Sequence, residues 1–165
     1  MRILQLHSNF IEYTPIKKEI ENAEEASKKT SRLDDVVVLF TCVEEGDSEA
    51  VAKQAIVEVK DAMAKLKTNK ILIYPYAHLS SNLAKSATAL NVLRAMEKYA
   101  RGAGIETYRS PFGWNKQFTI SIKGHPLAEQ SKVVAPVQKA KEKKKAKVWK
   151  IPKPEYLVLK VNGET

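Results

Sequence analysis

Two short segments concentrate the side chains able to do chemistry. One is Tyr74-Pro75-Tyr76-Ala77-His78-Leu79-Ser80-Ser81. The other is Phe112-Gly113-Trp114-Asn115-Lys116, followed downstream by Lys123-Gly124-His125-Pro126-Leu127-Ala128-Glu129. Lys116 alternates in phase with Phe118, Ile120 and Ile122, so a strand there turns it toward the same face as those apolar residues. A lysine partly withdrawn from water is a fixed cation with a lowered pKa. It suits orienting a water or stabilising negative charge that grows on an ester carbonyl. The same lysine can instead snorkel to solvent at the strand end. The segment 75–81 follows an apolar strand-like run and precedes helical periodicity, and ligands of open α/β sheets gather at such strand ends. Free amides and the positive dipole end at a helix start favour an anionic or oxyanionic group such as a phosphate or ribose oxygen. The plain alternative is a connecting loop with an incidental His78 and capping serines. Glu129, after the His125-Pro126 turn, is expected either to pair with Lys116, to meet a substrate ammonium, or to stand exposed at a helix start.

Other chemistries lack their patterns. Three dispersed histidines and one cysteine do not have zinc-ligand spacing, so no metal site is expected. There is no phosphate-binding loop and no GxSxG nucleophile elbow. Hydrolysis through a positioned water suits the residues better than covalent catalysis. Cys42 lies inside Val36-Val37-Val38-Leu39-Phe40-Thr41-Cys42-Val43, where a buried, inert thiol is expected. His125, before proline, is expected to be structural, and His7 at the end of the first strand is ambiguous.

The elements that must position these residues follow from periodicity. Residues 2–8 form an opening strand, and residues 14–34, polar and charged, are expected to be a loop or a loosely packed helix. Residues 36–43 are a near-continuous β-branched run, the mark of a strand buried on both faces. Asp47 or Ser48 caps a helix in which Val51, Ala52, Ala55, Ile56, Val59, Ala62, Met63 and Leu66 recur at three and four. Residues 70–74 make the next strand, giving a right-handed parallel crossover. Ser80 or Ser81 is expected to cap a second helix running to about Gly102, with Gly102 and Gly104 as its stop. Residues 105–108 and 116–123 supply two more strands around a Pro111-Phe112-Gly113 turn. The expected fold is α/β: a single domain with a mixed sheet and two main helices, plus a basic C-terminal linker.

The chain has 165 residues, 44% of them hydrophobic, which suits one domain over residues 1–138 with an appendage. Its charge of +9 is uneven: from Lys139 on, nine lysines stand against three glutamates, a net of +6 that leaves +3 for residues 1–138. Residues 139–165 therefore look like a Lys-rich linker, with a possible extra strand at 156–161, leading to a domain not present here. Such a tail favours polyanions by counterion release, or is simply solvated. No apolar stretch approaches the roughly 20 residues of a membrane span. The start is too soon polar for a signal peptide, so the protein is expected to be cytoplasmic and without membrane contact.

The two segments, together with Arg2-Ile3-Leu4-Gln5-Leu6-His7-Ser8 and Ile11-Glu12-Tyr13, resemble the amino-terminal editing domain of archaeal threonyl-tRNA synthetases. The resemblance runs in register from Met1 to about Ser131. It implies a D-aminoacyl-tRNA deacylase-like fold, a homodimer, and hydrolysis of serine wrongly attached to threonine tRNA, with no cofactor. It implies Lys116 and His78 as the catalytic pair and Glu129 as their support. Ala77, Tyr76, Pro75, Ser80, Trp114 and Asn115 would line the substrate pocket, and the tRNA's terminal 2′-hydroxyl would assist. The partners implied are the acceptor end of threonine tRNA and a catalytic synthetase module in cis or in trans. A freestanding D-aminoacyl-tRNA deacylase and a non-catalytic tRNA-binding module remain the alternatives. The chain departs from the family at Asn115, where euryarchaeal members carry a tyrosine, and at Asn9, where an acidic residue is common.

Overall fold

The structure, a computed structural model, describes residues 1–135. Six strands and two helices follow in the order β1 (Arg2–Lys18), β2 (Ser31–Cys42), α1 (Glu49–Leu66), β3 (Lys70–Pro75), α2 (Ser86–Gly102), β4 (Glu106–Arg109), β5 (Trp114–Ile122) and β6 (Glu129–Val133). They form one mixed sheet in the order β4-β3-β2-β1-β5, with β6 also on β1. The pairs β2–β3 and β3–β4 are parallel, and β1 runs antiparallel to β2, β5 and β6. The fold is the expected α/β domain with a mixed sheet and two main helices. Residues Met1–Val134 make one compact unit. The boundary expected at 138/139, the Lys-rich linker and the possible strand at 156–161 all lie outside the described residues.

The central strands explain their own composition. In β2 and β3, Val37, Leu39, Ile71 and Ile73 pack with Val51, Ala55, Val59 and Met63 of α1 and Val92, Leu93 and Met96 of α2. The alternate residues Val36, Val38, Phe40, Leu72 and Tyr74 face the other way and form a second cluster with Leu6, Ile11 and Tyr13. Both faces of these strands are thus buried, so the run carries no polar alternation. Neither α1 nor α2 contributes to the second cluster. Instead the sheet curls: Phe118 of β5 meets Phe40 at 5.4 Å and Tyr74 at 5.5 Å between ring centroids, although β1 and β2 separate β5 from β3 in the sheet.

Three expectations need correction. Residues 14–34 are not a helix, and only their middle is a loop. β1 continues to Lys18 and β2 begins at Ser31, because this half of β1 is paired with β2 as far as Tyr13 and with β5 as far as Lys18. Pro15 sits beyond the last β2 pair and next to a register shift, the setting in which a strand tolerates a residue with no N–H. The second helix starts at Ser86, not at Ser80 or Ser81. The Ser80 hydroxyl is engaged elsewhere, donating to a Glu44 carboxylate oxygen at 2.6 Å and accepting from the Asn82 N–H at 3.0 Å. Finally, β6 makes Glu129 a strand-start residue rather than a helix-start one. Its short polar sequence pairs on one side with the first half of β1, and an edge strand of this kind has no apolar run to announce it. Ser48 is the N-cap of α1, but its side chain makes no capping bond.

Candidate active site

A cavity of about 420 Å³ opens beyond the carboxyl ends of the parallel strands β2 and β3. Cys42 and Val43 from β2 and its continuation, Tyr74 and Pro75 from β3, and Tyr76, Ala77 and His78 after β3 form one wall. Phe112, Gly113, Trp114, Asn115 and Lys116 form the facing wall, Glu19 and Ile20 stand at the edge, and Ser86 and Ala89 bring the first turn of α2 to it. A helix start does face the cavity, then, but it is the one at Ser86.

Lys116 is the chemically distinctive group. Its Nζ donates to the Pro111 carbonyl at 2.8 Å and reaches the Trp114 carbonyl at 3.5 Å, and it lies 4.8 Å from the Tyr74 ring centroid. Burial pushes its pKa down to about 8, against the opposing pull of Glu24 and Glu19. Its phase with Phe118, Ile120 and Ile122 holds: Phe118 packs on Phe40 and Tyr74, and both isoleucines pack on the same cluster. On the other wall, a short 3-10 turn over Ala77–Leu79 carries His78, whose ring packs edge-on to Tyr76 at 5.0 Å. Tyr74 is a neutral neighbour, since burial raises its phenol pKa. Cys42 lines the cavity with its Sγ 3.8 Å from the Ala77 carbonyl, and burial raises its pKa, which keeps it a thiol.

Each wall has its own support. The His78 wall is tied to the end of β2 and the chain beyond it. Tyr76 N–H donates to Thr41 O, Glu45 N–H to Asn82 O and Ala84 N–H to Val43 O, and Ser80 holds Glu44. The Lys116 wall is tied to the β1–β2 connection. Glu19 N–H donates to Gly113 O and Glu24 N–H to Phe112 O, at 2.8 and 3.0 Å. The Glu24 carboxylate receives two N–H groups of Arg109 and the Phe112 N–H, while its carbonyl receives the Trp114 indole N–H at 2.7 Å. Arg109 also bonds Glu97 of α2 at 2.8 Å. Burial alone would raise the Glu24 pKa, but Arg109, the Phe112 N–H and Arg94 together bring it down to about 2. Gly113 has φ +85°, and a Cβ there would lie 2.8 Å from Ala23, so the close approach of the connection requires glycine.

Of the residues expected at the site, Pro75, Tyr76, Ala77, His78, Trp114, Asn115 and Lys116 meet around this cavity. Ser80 lies behind it as a tether. Glu129 does not pair with Lys116. The two residues face Leu6 and Pro15 of β1, nine residues apart and so about 30 Å along the strand. Nothing in the sequence marks Glu19 and Glu24 as residues of the site. Their segment has no periodicity, and the partners of Glu24 lie some 85 residues away in sequence.

The architecture by itself defines an α/β domain with a curled mixed sheet and its cavity at the strand ends. It is similar to a solved structure of the c-Myc DNA Unwinding Element Binding Protein, with a TM-score of 0.61 at 8% identity, over 81% of this chain and 98% of that one. Sequence narrows this class. Residues 1–134 match the family model of the archaea-specific editing domain of threonyl-tRNA synthetase, and the chain belongs to that family. It is 55% identical over 135 residues to the threonine–tRNA ligase of Nitrosopumilus maritimus and 50% over 134 residues to that of Cenarchaeum symbiosum. Each match takes in 81% of this chain and 21% of the relative. The Thermococcus kodakarensis ligase is 44% identical over 82% of this chain and 22% of its own length. The chain thus spans about a fifth of the length of these relatives.

Proposed function

We propose that this domain hydrolyses L-serine from mischarged threonine tRNA and spares L-threonine. Family membership and one observation support the assignment: a half-buried lysine ammonium, fixed by two backbone carbonyls, shares a cavity with the Ala77–His78 turn. Threonine exceeds serine by one methyl, and a binding pocket gains only about 1–3 kcal/mol from a difference of that size. A second, hydrolytic site supplies the remaining discrimination.

Lys116 acts as a preorganised cation. Negative charge developing on the ester carbonyl is stabilised by an ammonium already desolvated and held in place, without reorganisation at the moment of reaction. His78 on the facing wall and the terminal 2′-hydroxyl of the tRNA place the attacking water. The aminoacyl group lies between the two walls, against Ala77, Tyr76, Pro75, Trp114 and Asn115. Ser80 acts as a tether behind the cavity, and within one chain Glu129 does not reach Lys116. No cofactor is assigned. The partner is the acceptor end of threonine tRNA, and the aminoacylating module belongs to the same enzyme in the cytoplasm. Among the described residues no helix is long and apolar enough to cross a membrane.

The test is hydrolysis of L-seryl- and L-threonyl-tRNA, both on threonine tRNA, by the wild type and by Lys116→Met. Fast loss of serine, sparing of threonine and a fall of about 10²–10³ in the mutant are expected. Equal slow loss of both esters from both proteins contradicts the assignment and leaves a tRNA-binding module. Faster release of a D-aminoacyl ester than of L-serine also contradicts it.

A further inference from the structure

We propose that Glu24, together with Arg109, is a positioning residue for Lys116: the β1–β2 connection is a latch that sets the geometry of the catalytic ammonium. The inference rests on Lys116 being the cation of the reaction proposed above. The two carbonyls nearest the ammonium belong to Pro111 and Trp114, which bracket the turn ahead of β5. That turn has little of its own to hold it, because Gly113 takes a left-handed conformation and Pro111 has no N–H to donate. Glu24 fixes it at three points. Its carboxylate accepts the Phe112 N–H at 2.9 Å, its N–H donates to the Phe112 carbonyl at 3.0 Å, and its carbonyl accepts the Trp114 indole N–H at 2.7 Å.

Arg109 fixes Glu24 in turn. The guanidinium makes a forked contact with the Glu24 carboxylate and sends its Nε to Glu97, so the latch is anchored to both β4 and α2. The side chains of Glu24, Arg109 and Glu97 are only 16%, 12% and 17% exposed, which makes the fork geometrically demanding and poorly replaced by a lysine. The arrangement also carries charge to the ammonium. The charged and titratable groups around Lys116 are Glu24 and Glu19 from the β1–β2 connection, Cys42 from β2, Tyr74 from β3, His78 and Tyr76 on the facing wall, and Arg109 behind Glu24. Of these, Glu24 and Glu19 oppose the loss of the proton from Lys116. Glu24 therefore acts on Lys116 by geometry and by charge together.

The experiment is Glu24→Gln in the full chain, with two readouts. One is single-turnover hydrolysis of L-seryl-tRNA. The other is the titration of Lys116, followed by NMR of protein labelled at lysine Cε and assigned by the signal missing from Lys116→Met. A fall in the rate constant of about 10- to 100-fold is expected, with KM for the tRNA changed far less. The Lys116 titration should move to lower pH. Wild-type rate and titration in folded Glu24→Gln overturn the proposal, as does a slower rate with an unmoved titration. Should the variant be unfolded at the assay temperature, Arg109→Lys is used, read by rate and by the Trp114 indole N–H resonance. A slower rate with a shifted resonance supports the latch, and an unchanged rate overturns it. If the wild type does not hydrolyse seryl-tRNA at all, the proposed reaction fails, while the titration still decides whether Glu24 acts on Lys116.

Discussion

The two walls of the cavity are held by different physics. The wall bearing Ala77 and His78 leans on its neighbour in the sheet. Its supports are mainly backbone hydrogen bonds to the end of β2 and its continuation, with one short side-chain bond from Ser80 to Glu44. The wall bearing Lys116 depends on a distant segment and on ionised side chains, with Glu24 and Arg109 at their centre. Backbone pairing is indifferent to pH and largely to sequence, whereas a buried ion pair fails when either partner is lost. The supports of the His78 wall should therefore tolerate substitution, and those of the Lys116 wall should not.

The largest expected effect is that of Lys116→Met, which removes the cation itself. Next comes Gly113→Ala. The added Cβ meets Ala23 and Ile20 at 2.8–2.9 Å in a backbone conformation that alanine resists, so the latch must open. The protein should melt lower by about 1–3 kcal/mol of stability and lose most of its hydrolysis, as calorimetry and the seryl-tRNA assay would report. A melting temperature and rate like those of the wild type would show that the turn is held by something else.

Glu24→Gln should follow, at 10- to 100-fold in rate. The same pair has a stability signature. The Glu24 pKa is depressed in the fold to about 2 from 4.5, so its contribution is complete above about pH 4.5. It is lost as pH falls toward 2. Acid unfolding of Glu24→Gln should lack that component. On the other wall, Ser80→Ala removes the hydrogen bond to the Glu44 carboxylate and the one accepted from the Asn82 N–H; a loss of about 1.5–3 kcal/mol of stability and at most a few-fold change in rate are expected. A loss from Ser80→Ala as deep as that from Glu24→Gln would erase the contrast between the walls. Smallest of all should be Glu129→Gln, whose rate is expected to stay within twofold of the wild type. A large effect would mean that Glu129 reaches a site from which this fold holds it apart.

What the sequence made legible follows the same division. Residues 36–43 and 70–74 announced their strands because both faces are buried, and the phase of Lys116 with Phe118, Ile120 and Ile122 was readable because a strand alternates. Seven of the expected site residues meet around the cavity, at the ends of β3 and β5 and in the turn after β3. The long arm of β1 was hidden by Thr14, Pro15, Lys17 and Lys18, polar or ring-closed residues that a strand accepts only when its neighbours supply the pairing. Ser80 looked like a cap because serine caps helices, yet a carboxylate on β2's continuation competes for its hydroxyl. Glu24 carried no local signal whatever. Its importance lies in partners brought to it by the fold, and such pairings leave no periodic trace along one chain.

The most direct test of the central claim is the pH dependence of single-turnover seryl-tRNA hydrolysis, corrected for spontaneous ester loss, in the wild type and in Lys116→Met. A lysine whose burial lowers its pKa to about 8 is charged below that value and neutral above it. The wild-type rate should therefore hold up to the region of pH 8 and fall beyond it, and the mutant's residual rate should show no such fall. A wild-type rate that climbs steadily through pH 9, parallel to the mutant, would mean that the ammonium of Lys116 does not drive the reaction.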